Sequence, residues 1–516
     1  MDSDGLSGSR ETSRDSSCSR RKPYALSSTC YLLLAGHVTI NILPDDVFLH
    51  IFLMIRQECG GSILFLIGMT DHDRVQRLAC RWHRLAHVCR RWRSIVFASP
   101  NFLDLILLCG PTTPIELTGI WPPLPIIITN GFGPHMRTSG DVMPEDYDFD
   151  AAIVHPNRIR EIHLFNLTRS LLQRLASATL MQDQCPALTH LVLQLDPDSH
   201  PSSALPDGFL GGSAPLLQSL GLGAIPFPAL PKLLLSATHL VHLILQDIPH
   251  SGYFSPVAIV TGLGGMTNLE SLLIRFKSPL SRPHQESRHP LPPTRTVLPA
   301  LTRYEFKGAS EYLEDFVVRV DAPLLDSIYI TFFHQLIFDI PRLAQFMGRT
   351  TRFQELKEAH VQFDHYGVQV DTLPPTRTFD GNSGLRISCR ELDWQLSSMA
   401  QVVTSFIPSI YMVQHLYIYG PRYQWQYDME NMEWLEFFHP FTAVKNFYFS
   451  WESAPYIAFA LEELVGGRTM EVLPILQNLF LEGREPSGPI PEGVEKFVAA
   501  RQLSNYTITV SRWKRT

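Results

Sequence analysis

Apolar residues recur along the chain in two rhythms. Between residues 43 and 97 they come in steps of three and four: Val47, Phe48, Ile51 and Phe52, then Trp82, Leu85, Val88, Cys89, Trp92, Ile95 and Val96. Steps of that size gather side chains on one face of a helix. In the first run, LPDDVFLHIFLMI (43–55), Pro44 sits where a first helical turn tolerates it, and Asp45 and Asp46 suit the positive end of the dipole. Further apolar residues make this helix greasy nearly all round, so it is expected to be buried on more than one side. The second helix is expected over about 73–97 and should stop near Ser99-Pro100, because the residue before proline disfavours helical geometry. Arg81, Arg84, Arg90, Arg91 and Arg93 fall mostly off its apolar stripe, and residues 56–72, with Gly60 and Gly61, interrupt between the two helices.

From about residue 157 the rhythm becomes apolar-x-x-apolar-x-apolar. It runs Ile159-Ile162-Leu164, Leu188-Leu191-Leu193, Leu217-Leu220-Leu222, Leu240-Leu243-Leu245 and Leu269-Leu272-Ile274. It continues through Leu301-Tyr304-Phe306 and Leu325-Ile328-Ile330, and resumes at Val413-Leu416-Ile418, Val444-Phe447-Phe449 and Leu476-Leu479-Leu481. Successive units are 23 to 32 residues apart, and the gap from 328 to 416 leaves room for two more, near Leu356 and Ile387. That period lies close to the leucine-rich-repeat range. The alternating positions mark a short strand with one buried face. Helix-length apolar runs, such as LTRSLLQRLASATLM (167–181) and LEDFVVRV (313–320), fall between strands. A strand and return helix cannot bury their own apolar face, so the units must stack, giving a curved α/β solenoid with a parallel sheet on its concave side. Proline-rich stretches at 278–299 and 372–384 break the array and are expected to be loops.

These patterns divide the chain into an N-terminal segment (1–40), a helical module (41–108, with the insertion at 56–72), a connecting segment (109–156) and the repeat domain (157–516). Residues 1–29 are rich in Ser, Arg and Asp with few large apolar groups, so the N-terminal segment is expected to be disordered.

Composition narrows the function. The 516 residues are 45% hydrophobic and 18% charged, ample for a large core, and the 39 Pro and 31 Gly predict short elements with many turns. A net charge of −7 argues against a general nucleic-acid binder. The eight cysteines form no CxxC pair, which fits a reducing compartment better than a disulfide framework. The apolar stretches in RRKPYALSSTCYLLLAG and SILFLIGM are too short to cross a bilayer. A soluble intracellular protein, cytoplasmic or nuclear, is expected, with neither membrane nor nucleic acid among its partners.

Motifs for chemistry are weak. His83 and His87 are one helical turn apart with Cys80 nearby, but Arg84 stands where a zinc protease helix needs its Glu, and its charge would repel a metal. GLGG (262–265) lacks the spacing of a dinucleotide fingerprint, and Glu462-Glu463 reads as surface charge. No phosphate loop, nucleophile elbow or kinase signature is present. The expectation is a non-catalytic protein with no cofactor and no metal.

Two segments carry a family resemblance. Leu43-Pro44-Asp45-Asp46-Val47 with Ile51-Phe52, and Val88-Cys89-Arg90-Arg91-Trp92-Arg93 followed by Ser99-Pro100, resemble the opening and close of the F-box. An F-box followed by degenerate leucine-rich repeats is similar to F-box proteins of mushroom-forming fungi. The sequence departs from the family in its longer middle and in Asn101-Phe102-Leu103 where Leu-Trp is common. The Asn or Cys that usually follows each repeat strand is also missing. The resemblance implies a substrate receptor of an SCF-type, cullin–RING ubiquitin ligase. Leu43, Pro44, Val47, Ile51, Val88, Cys89 and Trp92 would form or support the surface that docks on the Skp adaptor, and through it the cullin. The repeats would hold a protein substrate, and catalysis would lie on other subunits.

Overall fold

A computed structural model describes residues 43–59, 85, 88–98, 107–109, 125–129, 156–177, 185–196, 204–283, 294–335, 337–350, 353, 356–372, 384–406, 410–420, 432–483 and 490–514. Helices α1 (Asp45–Cys59) and α2 (Arg90–Ala98) come first. Then follow β1 (Leu107–Cys109), β2 (Ile126–Thr129), β3 (Ile159–Leu167), α3 (Arg169–Ser177), β4 (His190–Leu195), β5 (Ser219–Gly223), α4 (Leu230–Leu234), β6 (His242–Ile248), α5 (Pro256–Leu263) and β7 (Ser271–Phe276). The chain continues through β8 (Thr296–Val297), β9 (Arg303–Gly308), α6 (Ser310–Val317), β10 (Val320–Asp321), β11 (Ser327–Phe333) and α7 (Pro341–Arg349). A compact excursion holds β12 (Glu358–Phe363), β13 (Gly367–Asp371), β14 (Gly384–Ser388) and α8 (Leu392–Phe406). The last stretch holds β15 (His415–Tyr419), α9 (Met432–Phe438), β16 (Asn446–Phe449), α10 (Ala454–Glu462), β17 (Asn478–Glu482), α11 (Glu492–Leu503) and β18 (Thr509–Trp513).

Among the described residues, the repeat pattern maps onto one sheet of 16 strands. Its central apolar residues lie in a single register row: Ile162, Leu191, Leu220, Leu243, Leu272, Tyr304 and Ile328 are successive strand partners. Leu416, Phe447 and Leu479 continue the pattern farther along the sheet. All ten are buried. Burying one row on a face of alternating side chains sets the register, because a slip by one residue would turn every apolar group outward.

Five of the strands are introduced by the same turn. Leu188, Leu217, Leu301, Leu325 and Leu476 donate their N–H to the carbonyl three residues back, and Pro186, Pro215, Pro299, Pro323 and Pro474 occupy the second turn position. Proline favours that position because its fixed φ matches it. Two successive N–H groups then converge on one carbonyl of the preceding unit. Gln218 and Ser219 bind Thr189 O, Val241 and His242 bind Gln218 O, and Glu270 and Ser271 bind Val241 O. Thr302 and Arg303 bind Glu270 O, and Lys445 and Asn446 bind Gln414 O. This backbone ladder, with the proline turns, holds the units where the Asn or Cys side chains are missing.

Helices connect consecutive parallel strands and pack against their neighbours in the array. Helices pack 8–10 Å apart and strands about 4.8 Å apart, so a stack of such units must curve with its helix-free face inside. Glu314 on α6 shows how neighbours lock. Its carboxylate accepts the N–H groups of Arg342 (3.0 Å) and Leu343 (2.7 Å), which open α7 and have no partner within that helix.

The structure corrects five expectations. The stretch 109–156, read as a connecting segment, contributes β2, which pairs with β3 and with β1, so the array begins before residue 157. The stretch 278–299 is not wholly loop, since β8 pairs with β10. Helix α1 continues to Cys59, into the stretch read as an interruption. Of the helix expected over 73–97, residues 73–84 lie outside the described residues, Val88 and Cys89 are not helical, and a helix begins at Arg90; Cys89 Sγ accepts the Trp92 N–H at 3.4 Å and caps it.

The fifth correction concerns the two extra units. The strands near Leu356 and Ile387 exist as β12 and β14, but the sheet runs β11-β14-β13-β12-β15 with β13 antiparallel to both neighbours. The cause is a tight hairpin at Asp364-His365-Tyr366-Gly367. Asp364 N–H donates to Gly367 O at 2.9 Å, and the Asp364 carboxylate accepts the Tyr366 N–H at 2.7 Å. A Cβ on Gly367 would collide with the Ile387 carbonyl, so only glycine lets β13 lie against β14 here. The chain therefore doubles back where the other units enter a helix. The residues 1–40, Cys80, His83 and His87, and nearly all of the loop at 372–384 lie outside the described residues.

Candidate functional site

Two surfaces carry the features that could bind a partner. The first is the α1–α2 pair. Phe48 and Phe52 are fully buried, and the Trp92 ring packs 5.5 Å from Phe48 and 5.0 Å from Phe52. Aromatic pairs at such separations add to the burial of their area. Arg91 closes the pair. Its guanidinium donates to Asp45 Oδ1 through Nε at 3.1 Å and Nη2 at 2.6 Å, and to the Leu43 carbonyl at 2.6 Å, while lying 5.0 Å over Phe48. Both halves of the motif are thus joined across 46 residues. Arg91, placed by periodicity off the apolar stripe, is a clasp within the module.

The seven predicted residues divide into supports and surface. Leu43, Ile51 and Trp92 are half-buried against the core, and Cys89 is half-buried as a cap. The Pro44 carbonyl accepts the Phe48 N–H at 3.3 Å and starts α1. Val47 and Val88 are exposed, at 36% and 59%, and Met54 is exposed on the same helix as Val47.

The second surface is the helix-free face of the sheet. The residue after each central apolar position points outward, and strand register makes these residues one continuous row. It begins Thr129, His163, Val192, Gly221, Ile244 and Leu273. It passes through Glu305, Tyr329, Gly384 and Asp371, and ends His360, Tyr417, Tyr448, Phe480 and Ser511.

The last part of the row is a stack of rings. His360 and Tyr417 lie 4.2 Å apart at 7°, Tyr417 and Tyr448 4.2 Å at 11°, and Tyr448 and Phe480 4.3 Å at 6°. Trp513 meets their edges, 5.6 Å from Tyr448 and 6.1 Å from Tyr417. Burial, with Tyr448 and Glu358 nearby, raises the Tyr417 phenol above its usual range. Burial also lowers the His360 imidazole against the opposing pull of Glu358.

The middle of the face is charged. Glu305 is buried and accepts Arg275 Nε at 2.6 Å, with Arg303 Nη2 at 3.9 Å. Asp371 accepts two hydrogen bonds from Gln369, at 2.9 and 2.8 Å, yet burial pushes its carboxyl up to about 6. At the other end Glu161 is buried beside His163, 3.0 Å away. Burial pushes the Glu161 carboxyl up, but His163, His190 and Arg160 together hold it below its ordinary value.

Sequence reading missed the outer row. Aligning the units on their central apolar residue would have put Tyr417, Tyr448 and Phe480 in one column, as HLYIY, NFYFS and NLFLE. A cleft of about 620 Å³ beside α6 and α7 is lined by Arg282, Glu311, Glu314, Asp315, Asp339 and Arg342 among others; its most buried carboxylate, Glu314, already caps α7. Among the described residues, no group of three or more His, Cys, Asp or Glu is placed to hold a metal ion, and no helix is long and apolar enough to cross a membrane.

No protein-family model matches the chain, and no curated protein does. Among solved structures, the chain is similar to the leucine-rich repeat-containing protein LegL7 from Legionella pneumophila. The identity is 13%, with 69% of this chain and 93% of that chain covered, at a TM-score of 0.26.

Proposed function

We propose that this protein is the substrate-recognition subunit of an SCF-type ubiquitin ligase, docking on a Skp-type adaptor through α1 and α2 and holding a protein substrate on the helix-free face of its repeats. One observation carries the reading. The two halves of the F-box-like motif, LPDDV and VCRRW, pack as one unit through Arg91 on Asp45 and Trp92 on Phe48 and Phe52. Val47, Met54 and Val88 are large apolar groups of that unit that stay exposed. An apolar centre with an arginine rim suits a stable interface with an acidic partner. The protein would act as a receptor and contribute no catalytic group of its own.

The test is co-purification of the full chain with a Skp adaptor. Wild type is expected to bind, and Val88→Asp, which alters an exposed side chain, should abolish binding while the repeats stay folded. Trp92→Ala and Leu43→Ala/Pro44→Ala should do the same by removing support. A wild-type chain that does not bind the adaptor overturns the reading. The second reading, a repeat-based scaffold outside any ligase, draws on the helix-free face alone. It predicts that the adaptor complex, if formed, contains no cullin.

A further inference from the structure

The helix-free face has an uneven charge distribution. Arg275 on β7 and Arg303 and Lys307 on β9 point outward, because Leu272, Ile274, Tyr304 and Phe306 between them are buried. Lys277, one step past the inward Phe276, is exposed. The carboxylate facing these four cations on the same two strands is Glu305; Glu270 precedes β7 at its opposite end. Glu305 takes two of the five N–H donors of Arg275 and leaves the rest available. Lys307 rests 5.8 Å over Phe333. The cluster is therefore cationic in excess, and Glu305 holds its guanidinium groups in place.

Toward the C-terminal end, five strands away in sheet order, begins the Tyr417–Tyr448–Phe480 stack. Five strand spacings are about 24 Å, the length of roughly seven extended residues. The rings are occupied face to face by one another, so no nucleobase can stack between them, and sequence-tolerant single-strand binding needs free ring faces. Tyr417, Tyr448 and Phe480 stay half-exposed, with Trp513 against the edges of the two tyrosines, and together they form an apolar floor.

We infer that this face takes an extended, carboxylate-rich peptide, its acidic stretch on Arg275, Lys277, Arg303 and Lys307 and its apolar flank on Tyr417, Tyr448 and Phe480. This deepens the reading of the helix-free face as the substrate surface and rests on it. Arginine forks grip carboxylates in two-point fashion, and the excess positive charge speeds encounter with an acidic segment.

The experiment is selection of a random dodecapeptide display library on the full chain, followed by fluorescence anisotropy with the selected peptides. Enrichment of Asp and Glu is expected. Arg303→Ala/Lys307→Ala should weaken binding about tenfold, and rising salt should weaken it further. Both substituted side chains are half-exposed, so the double variant should keep the wild-type melting temperature, and Arg303→Gln provides a milder check. Selected peptides that lack acidic residues, ignore the double variant and are lost in Tyr448→Ala would overturn the acidic preference while leaving the face as the substrate surface. Peptides insensitive to both sets of variants would overturn the preference and the surface together. A twelve-nucleotide oligouridine that binds more tightly than the peptides, with the same dependence on Arg303 and Lys307, would overturn the peptide class.

Discussion

Strands β4 to β7 and strands β15 to β17 are built on the same inward plan but finish their outer faces differently. Inside, both share one row of buried apolar residues: Leu191, Leu220, Leu243 and Leu272 in the first group, Leu416, Phe447 and Leu479 in the second. Outside, the first group presents Val192, Gly221, Ile244 and Leu273, small or aliphatic groups that leave the sheet shallow. The second presents the stacked rings of Tyr417, Tyr448 and Phe480. It also carries a polar ladder at the strand starts, with Asn446 Nδ2 3.3 Å from His415 Nδ1 and Asn478 Nδ2 donating to Asn446 Oδ1 at 2.8 Å. The inner row does the same work in both regions, so it specifies stacking and register. The outer row is free to differ, so it is where the two regions acquire different surface chemistry.

The largest expected effect tests the shared inner row. Leu243→Ala should cost about 3 kcal/mol in chemical denaturation, because the site is fully buried and its neighbours close the cavity only in part. A cost below about 1 kcal/mol would break the claim that the inner row holds the first group. Between the two groups lies Asp371, whose carboxyl is raised from 3.8 to about 6 by burial. The folded state then keeps its proton where the unfolded state has lost it, so stability falls as pH rises from about 4 to 6 and stays reduced above. Asp371→Asn should remove that decline and raise stability at pH 8 by ~2 kcal/mol. Denaturation midpoints at pH 4 and pH 8 check the sign, and a variant less stable than wild type at pH 8 contradicts it.

Smaller effects belong to the outer row. Tyr448→Ala should cost about 1 to 1.5 kcal/mol, since it removes two stacked contacts from a half-exposed site. Tyr448→Phe should keep most of that stability, which separates ring stacking from the hydroxyl. The smallest effect is expected from Asn446→Ala, about 1 kcal/mol or less, because two side-chain hydrogen bonds at a partly exposed edge are lost. Should Asn446→Ala prove costlier than Tyr448→Ala in the same assay, the polar ladder rather than the ring stack would be what distinguishes the second group.

Much of this architecture was legible in the residues alone, and for a local reason. The triads from Ile159-Ile162-Leu164 to Leu476-Leu479-Leu481 mark strands because alternation within six residues decides which side chains turn inward. Their spacing decides that units stack. Phe48, Phe52 and Trp92 were equally visible as the apolar face of a helical pair. Tertiary structure decided whatever depends on which strands become neighbours. The hairpin at Asp364–Gly367 reversed the order of β12 and β14, and sheet pairing drew β1 and β2 into the array from a stretch without the repeat pattern. The packing of Trp92 between two phenylalanines went with a helix that begins at Arg90 and leaves Val88 exposed. The outer row, with its cations and stacked rings, exists only through cross-strand register, which joins residues about 30 positions apart that share no local signal. Periodicity is a property of a segment and is written in it, whereas a surface belongs to the set of segments that folding brings side by side.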